Sequence, residues 1–243
     1  MLKADLHIHT KGDPVDTHLT YTTQDLINIA AKQKFDVLGI TWHNKIFDIA
    51  PLKSYAKKKG ITLLQGVELT INNQHTLVYN ITKEEAAKVK TLDDLYQFKD
   101  HVLVGAPHPF FVLPSCLGNN VFNHPKLFDF MEHSHFYTKT INFNKKAIFA
   151  AEQLKIPLIG NSDVHHLSMF GKDFTRIDAV PTIDAILDVL KKKSVGKNRK
   201  KIEVETRPYK LGEFLKHTAY FTPKGIAYFL TKRFEKGLDE LQQ

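Results

Sequence analysis

The sequence predicts an α/β fold in which about seven strand–helix units close into a barrel. Short runs of apolar and β-branched residues alternate along the chain with amphipathic helical patterns, and this alternation is typical of parallel sheets. Histidines and carboxylates also follow several of the predicted strands. Because the carboxyl ends of parallel strands meet on one face of such a fold, these side chains are expected to converge there.

Seven strands are predicted from the apolar runs. In the first, Lys3–His9, alternate side chains share a face, so Asp5, His7 and His9 point one way and the apolar residues between them point the other. The link between the third and fourth strands is too short for a helix, so we expect a hairpin there. The other six predicted strands are Asp36–Thr41, Thr62–Glu68, Thr76–Ile81, Val102–Ala106, Phe128–Glu132 and Pro157–Asn161.

Helices are predicted between most of these strands. Thr23–Lys34 carries apolar residues at helical spacing, and Ile49–Lys59 ends before Gly60, a residue type favoured just after helices. Thr91–Asp100 opens with a Thr-Leu-Asp-Asp capping pattern. The remaining predicted helices are Asn142–Leu154 and Thr182–Lys193 within the barrel, and Leu211–Thr218 and Pro223–Phe234 after an extended segment at Ile202–Thr206.

The composition fits a single barrel. The chain has 243 residues, of which 42% are hydrophobic, and one α/β barrel of this size is common. No segment has the length and apolarity of a membrane span, the start lacks a basic and then apolar leader, and one cysteine cannot form an internal disulfide. A cytoplasmic location is therefore expected. The basic run Lys191–Lys201 favours a solvated surface, with contact to phosphates or nucleic acid as the alternative.

Two clusters far apart in the chain carry metal-ligand side chains. They are Asp5-Leu6-His7-Ile8-His9 and Asn161-Ser162-Asp163-Val164-His165. Each combines imidazole and carboxylate groups on one face of an extended segment. Such mixed sets suit Zn²⁺, Mn²⁺ or Fe²⁺, whereas sets of oxygen atoms alone suit Mg²⁺ or Ca²⁺. Further groups of these types end or follow other predicted strands, at His43, Glu68, His108 and Glu132.

These clusters belong to an ordered series of motifs that covers about residues 1–195. The series resembles the successive motifs of the PHP (polymerase and histidinol phosphatase) family. The resemblance implies a distorted (βα)7 barrel with two or three divalent ions at the carboxyl ends of its strands, and residues 196–243 are then expected to pack on the barrel as a C-terminal extension. The motifs are Asp5-Leu6-His7-Ile8-His9-Thr10, Gly39-Ile40-Thr41-Trp42-His43-Asn44, Gly66-Val67-Glu68, Pro107-His108-Pro109 and Gly160-Asn161-Ser162-Asp163-Val164-His165.

The resemblance also implies an activity. A stand-alone, metal-dependent phosphoesterase would use a metal-activated hydroxide, with Glu68, Asp163 and His165 as the catalytic groups. Phosphomonoesters such as histidinol phosphate, nucleotides, or the ends of short oligonucleotides would be its substrates. Carried over by position, the metal ligands are His7, His9, His43, Glu68, His108, Asp163 and His165.

Two other functions are compatible with parts of the sequence. A catalytically degenerate PHP module would keep the barrel as a metal-binding scaffold or binding protein, although all seven implied ligands are present. The amidohydrolase barrels also begin with a His-x-His motif. They normally need a metal-bridging lysine at a strand end in the middle of the barrel, and no such lysine is apparent.

The chain departs from the family pattern at two places. Trp42 stands where the family most often has Asp; packing at the barrel mouth is favoured, and stacking on a nucleotide base is the alternative. The loop after His9 is lengthened by about four residues. His18 is ranked first as a further ligand there, with Asp16 and Asp13 as rivals, and a loop without any ligand is also open.

A second group of residues is predicted to lie near the substrate. His75, Glu132 and His135 are expected in the pocket, where His135 could alternatively complete a metal site. Arg176 offers bidentate geometry for a phosphate, although a surface ion pair is the alternative for any single cation. Other cations expected near the same face are Lys11, Lys139 and Lys172, and Cys116 is interpreted as a small buried side chain.

Overall fold

The computed structural model describes residues 1–191 and 201–218. In these ranges nine strands form one mixed sheet that is nearly closed into a barrel. In chain order they are β1 (Leu2–Ile8), β2 (Val37–Ile40), β3 (Thr62–Ile71), β4 (Gln74–Tyr79), β5 (Leu103–Ala106), β6 (Phe130–His133), β7 (Leu158–Gly160), β8 (Phe174–Ile177) and β9 (Ile202–Glu205).

The order of the strands across the sheet is β7-β6-β5-β4-β3-β2-β1-β8-β9. Four of the eight neighbouring pairs are parallel, whereas β4 is antiparallel to β3 and β5, and β8 is antiparallel to β1 and β9. The predicted hairpin of β3 and β4 is confirmed, with Glu68 opposite Leu77. The antiparallel strand β8 was not predicted, so the alternation of strands and helices predicts the parallel part of the sheet only.

Helices cover the outside of the sheet. The first helix begins with a capping box, in which the side chain and backbone of Thr22 exchange hydrogen bonds with Asp25. The helices are α1 (Thr23–Lys32), α2 (Ala50–Lys58), α3 (Lys83–Ala86), α4 (Asn120–Asn123), α5 (Asn144–Leu154), α6 (Ile183–Lys191) and α7 (Leu211–Thr218). Among the described helices none is long and apolar enough to cross a membrane.

The predicted helix Thr91–Asp100 is instead a 3-10 helix, Asp93–Phe98. The capping contacts do form, since the Asp94 carboxylate accepts hydrogen bonds from the backbone N–H groups of Lys90 and Thr91. The following bonds, however, join residues three apart, as in Leu95 N–H to Leu92 O. Such tighter turns are common in short connectors.

The short helices α3 and α4 and the strand β8 were not predicted. The predicted helix Pro223–Phe234 lies outside the described residues.

Side chains join β7 to the other side of the barrel. The Thr175 hydroxyl accepts a hydrogen bond from Gly160 N–H at 2.9 Å and donates one to Gly160 O at 2.7 Å. Just beyond β7, the Asn161 side chain accepts from Leu6 N–H at 2.8 Å, and Val164 forms an isolated parallel bridge with Ile8. The carboxyl end of β7 is thereby held next to the carboxyl end of β1.

Two large aromatic rings fill the barrel below the polar face. Tyr79 lies opposite Gly66 across β3 and β4, and Phe130 lies beside Gly105 across β5 and β6. Both rings are fully buried, and the Tyr79 hydroxyl donates to the backbone oxygen of Leu6. A Cβ at Gly105 would lie 2.0 Å from the Phe130 ring, so this position has no room for a side chain.

The described part of the predicted C-terminal extension packs on the barrel. β9 pairs with β8, and Tyr209 N–H then donates to Tyr137 O at 2.8 Å. The Phe214 ring stacks on Phe136 with centroids 4.3 Å apart. The boundary between a domain at 1–195 and an extension at 196–243 stays a prediction.

We expect the Gly105→Ala variant to lose about 1–3 kcal/mol of unfolding free energy, because the new methyl group overlaps the buried Phe130 ring. Urea unfolding followed by circular dichroism measures this change. Gly212→Ala is the matched control, since nothing lies within 4 Å of a Cβ at this position in α7, and alanine is the better helix former. Equal stability of the two variants would contradict the packing described for Phe130.

Asp173 provides a pH-dependent contribution to stability. Its side chain is buried and accepts a hydrogen bond from Arg207 N–H at 3.2 Å, and burial raises its pKa to about 8. The folded chain therefore binds this proton more tightly than the unfolded chain. The resulting stabilisation is present at low pH and is lost as the pH rises towards 8.

The Asp173→Asn variant removes this titration. Relative to wild type, its unfolding free energy should rise more at about pH 8.5 than at about pH 5. The difference should be at least about 1 kcal/mol, because one unit of pKa corresponds to about 1.4 kcal/mol. Denaturant unfolding of both proteins at the two pH values measures it, and a difference independent of pH would overturn the prediction.

Candidate metal centre

Strand β1 delivers two histidines to the polar face. Asp5 and His7 share the inward face of β1, and His9 follows at its end; all three are fully buried. The alternate residues Leu6 and Ile8 pack in the hydrophobic core instead. The alternation in the sequence thus places both imidazoles at the carboxyl end of β1.

Glu68 lies at the centre of the polar cluster. Its Oε2 is 3.3 Å from His7 Nε2, 3.3 Å from His9 Nε2 and 3.1 Å from His43 Nε2. Its Oε1 is 2.8 Å from His75 Nδ1 and 3.6 Å from His108 Nε2. One carboxylate therefore faces imidazoles that come from β1, from β4 and from the loops after β2 and β5.

Asp163 and His165 complete the other side of the cluster. Asp163 adopts a positive φ of 43°, and its Oδ1 lies 3.3 Å from His7 Nε2 and 3.4 Å from His9 Nε2. His165 Nε2 is 3.0 Å from Asp16 Oδ2. The last motif of the sequence thus meets the first one across the barrel mouth.

Four overlapping groups of these side chains could hold metal ions. In each group the ligand-type atoms all lie within 4.8 Å of one another. His9 belongs to three of the groups, and Glu68 belongs to two. The groups are His9, Asp13, Asp16 and His43; His7, His9 and Glu68; His9, Asp163 and His165; and His43, Glu68 and His75.

The residues fit such ions chemically. Buried polar atoms are normally hydrogen-bonded, yet five atoms at the centre lie close to other ligand-type atoms without the geometry of a hydrogen bond in the described structure: His7 Nε2, His9 Nε2, Asp16 Oδ2, Glu68 Oε1 and His75 Nδ1. Neutral imidazole and carboxylate are also the ligand types that suit Zn²⁺, Mn²⁺ and Fe²⁺.

Surrounding carboxylates fix the orientation of the histidines. His7 Nδ1 lies 3.1 Å from Glu132 Oε1, and His9 Nδ1 lies 2.8 Å from Asp13 Oδ2. Asp13 also accepts a hydrogen bond from His43 N–H at 2.9 Å. With Nδ1 engaged in this way, Nε2 of His7 and of His9 faces the centre, the arrangement usual for metal-binding histidines.

The charges in the cluster shift its pKa values strongly. Burial lowers the pKa of His7, but the carboxylates of Asp163, Glu132 and Glu68 outweigh burial and raise it to about 10. Burial likewise opposes the charged form of His43, but the adjacent carboxylates of Asp13 and Asp16 raise its pKa to about 9. Burial disfavours ionised Glu68 as well, yet His7 and His75 hold its pKa well below the usual range. The carboxylates therefore favour positive charge at this centre.

The lengthened loop after His9 places its acidic residues inside and His18 outside. Asp13 is buried and Asp16 half-buried, both within the first metal-binding group. His18 is exposed, and its ring centroid lies 6.4 Å from that of His166. Of the three rivals proposed from the sequence, the two aspartates lie nearest to the other candidate ligands.

Trp42 packs into the protein rather than facing the cluster. It is 6% exposed, its Nε1 donates to Thr10 Oγ1 at 2.8 Å, and its ring lies 4.6 Å from that of Phe47. These contacts support the packing interpretation over stacking on a substrate base.

The residues predicted near the substrate lie in different places. His75 joins a metal-binding group, and Glu132 is buried behind His7, where it also accepts hydrogen bonds from His108 N–H and Asn161. Arg176 lies opposite Lys3, at the amino end of β1, and is paired with Glu205. The position of Arg176 is thus at the opposite end of β1 from His7 and His9.

Two further residues support the cluster although the sequence did not single them out for this purpose. The Asn161 side chain accepts a hydrogen bond from Leu6 N–H and donates one to Glu132. Its place immediately before Ser162 and Asp163 was the sequence signal that could have indicated this supporting role. Cys116 is buried, as predicted, and its Sγ lies 3.4 Å from His108 Nδ1. No spacing rule for a cysteine eight residues beyond a histidine could have indicated that contact.

A cavity of about 200 Å³ opens beside the cluster. Asp16, Asp163 and His165 contribute to its lining together with several apolar side chains. The residues that line it are Asp16, His18, His108, Phe111, Leu113, Ser134, His135, Phe136, Asp163, His165, His166 and Met169.

Comparisons with known proteins agree with this architecture. A family model described as PHP-associated matches residues 142–195. An uncharacterized protein of Methanocaldococcus jannaschii is 25% identical over 130 residues, which cover 50% of this chain and 76% of that protein. The matched model thus covers the part of the chain that contains α5, β7 and the Asp163–His165 motif, and there the chain is similar to PHP-associated sequences.

Two solved structures share the fold. PsfC from Pseudomonas syringae superposes with a TM-score of 0.56 at 12% identity, over 90% of this chain and 97% of that chain. The lesion-specific endonuclease PfuEndoQ from Pyrococcus furiosus gives a TM-score of 0.51 at 16% identity, over 84% of this chain. The matched region spans 57% of that endonuclease, and both likenesses show the fold alone.

Proposed function

We propose that this protein is a metal-dependent phosphoric ester hydrolase that acts on phosphomonoesters or on nucleotide or oligonucleotide phosphoesters. The observation that carries the proposal is the set of overlapping ligand groups joined through His9 and Glu68 beside an open cavity. Overlapping groups suit two or three neighbouring ions rather than one isolated ion. Two-metal sites of this kind are typical of enzymes that hydrolyse phosphoesters.

The proposed ligands are the members of the four groups described above. Zn²⁺, Mn²⁺ or Fe²⁺ bound there would supply Lewis acidity for phosphoryl transfer to water and neutralise charge on the phosphoryl oxygens. We assign to this role His7, His9, Asp13, Asp16, His43, Glu68, His75, Asp163 and His165, with His108 beside them.

The protein groups then bind, orient and move protons. In the reaction an ester P–O bond breaks, a P–O bond to the water oxygen forms, and a proton passes to the leaving oxygen. His165 is suited to proton transfer because it lines the cavity, and its Nδ1 lies 2.8 Å from Asp163 O, which orients the ring. Glu68 and Asp163 hold negative charge next to the same imidazoles.

We expect the purified protein to contain more than one equivalent of transition metal and to hydrolyse phosphate esters. A His7→Ala/His9→Ala variant should lose both properties, since His9 belongs to three of the four groups. Metal analysis and a screen over sugar, amino-alcohol and nucleotide phosphates provide the measurements.

Arg176→Ala is the control for this experiment, because Arg176 lies at the amino end of β1 and should leave both properties unchanged. Treatment with a chelator should abolish hydrolysis by the wild type, and Mn²⁺ or Zn²⁺ should restore it. A wild-type protein that binds no metal and stays inactive after both ions are added would falsify the proposed function.

The lengthened loop provides a sharper test of the ligand set. Asp16→Ala should lower the number of bound ions or their affinity at least about tenfold, because Asp16 Oδ2 faces His165, His43 and His9. His18→Ala changes the same loop two residues later and should leave metal binding as in the wild type. Titration of the metal-free proteins with Zn²⁺ by calorimetry measures both effects. The reverse result would make His18 the ligand.

A further inference from the structure

Four of the side chains that line the cavity are apolar, and together they are called the apolar wall. Phe111 and Leu113 come from the loop after β5, Phe136 from the loop after β6, and Met169 from the loop that follows Asp163 and His165. Phe111, Leu113 and Phe136 pack in one hydrophobic cluster, and Met169 packs in another. Asp16, Asp163 and His165 line the same cavity.

This wall is held in place by contacts of its own. The Phe111 ring meets Phe136 edge-on at 5.4 Å, and Phe136 stacks on Phe214 of α7 at 4.3 Å. Backbone bonds from Cys116 N–H to Leu113 O and from Met169 N–H to His166 O close the two neighbouring turns. A wall braced in this way exists before any ligand arrives, which lowers the ordering cost of binding.

A neutral polar group lies within this wall. His135 lines the cavity and is 6% exposed, and its Nε2 has no hydrogen-bond partner in the described structure. Burial lowers the pKa of His135 to about 4, so the imidazole is uncharged at neutral pH. It can exchange one hydrogen bond with an ester or phosphoryl oxygen without adding charge.

The charges around the cavity disfavour a second anionic group on the substrate. Among the described residues that line it there is no lysine or arginine. The nearby Lys172 instead places its ammonium group over the Tyr209 ring, 4.4 Å from the centroid. A second phosphate on the alcohol part would therefore lie against apolar side chains without a lysine or arginine of this lining to pair with, an unfavourable environment for an anion.

We propose that the substrates are phosphomonoesters of an apolar, ring-bearing alcohol that carries no second anionic group. The phosphoryl group lies towards the ligand groups, and the alcohol part packs against Phe111, Leu113, Phe136 and Met169. The cavity of about 200 Å³ provides an enclosed site for the alcohol part beside the ligand groups. This inference rests on the proposed function and narrows its substrate class.

The test compares esters with the same type of leaving group. 2-Phenylethyl phosphate, glycerol phosphate and propane-1,3-diol bisphosphate all release an alkyl alcohol, so intrinsic reactivity differs little among them. We expect kcat/KM of the metal-loaded protein to be at least about tenfold higher for 2-phenylethyl phosphate, since hydrophobic pockets discriminate on this scale. A difference below about twofold, or the bisphosphate as the best substrate, would overturn the inference.

Variants of the wall connect any preference to these side chains. Leu113→Ala and Met169→Ala should each reduce the preference for the phenylethyl ester several-fold while changing kcat/KM for glycerol phosphate little. Leu113→Lys should raise kcat/KM for the bisphosphate relative to wild type. Val180→Ala, which alters an exposed apolar residue that does not line the cavity, is the matched control and should change neither. An unaltered preference in all three wall variants would contradict the assigned contacts.

A binding measurement separates the two proposals. 2-Phenylethylphosphonate has no ester bond to hydrolyse, so calorimetry can report its binding whether or not the protein turns over. Tight binding of this compound but not of glycerol phosphate, with no hydrolysis of any ester, would contradict the proposed function and support the apolar site. Hydrolysis of all three esters at similar rates would support the function and contradict the substrate class.

Discussion

The burial of Glu68 among imidazoles is the constraint on which the rest of the site depends. A buried carboxylate is costly unless opposite charge or hydrogen bonds surround it. Here Glu68 is met by histidines from β1, from β4 and from the loops after β2 and β5, and each of these can be in place only if the sheet curls far enough to bring its strand ends together. The burial of Glu68 therefore requires the curvature of the barrel, because only a curved sheet brings the compensating imidazoles to this carboxylate.

Buried carboxylates around this centre connect its histidines to the backbone of the neighbouring loops. Glu132 lies behind His7 and also accepts from the backbone of His108, while Asp13 lies behind His9 and accepts from the backbone of His43. Each of these carboxylates therefore orients one imidazole and anchors the loop that carries another. Substitutions of the shell are expected to act on several candidate ligands together, and their effects should not be additive.

The sequence predicted most of what depends on local periodicity. Alternation in β1 placed His7 and His9 correctly, and the short link between β3 and β4 predicted their hairpin. Loop geometry could not be predicted in the same way. Asp16 and His18 are two residues apart, and both are of types that bind metals. Only the path of the loop after His9 determines that Asp16 faces the other candidate ligands and that His18 is exposed. His75 was predicted near the substrate and not among the metal ligands, since its approach to Glu68 depends on the register of the hairpin, which pairs Thr70 with His75. β8 was missed because four residues with little alternation give no clear strand signal.

The Thr175 hydroxyl joins β7 to β8 through two hydrogen bonds with the backbone of Gly160, in place of a regular ladder of backbone hydrogen bonds. The barrel consequently has a seam, where β7 lies beside the other end of the sheet without regular strand pairing. The seam ends at the mouth of the barrel, where Asp163 and His165 follow β7 and where His7 and His9 end β1. A metal ion bound jointly by those four side chains would also connect one side of the seam to the other. Binding of an ion by these side chains is therefore expected to stabilise the barrel at this seam as well as to complete the centre.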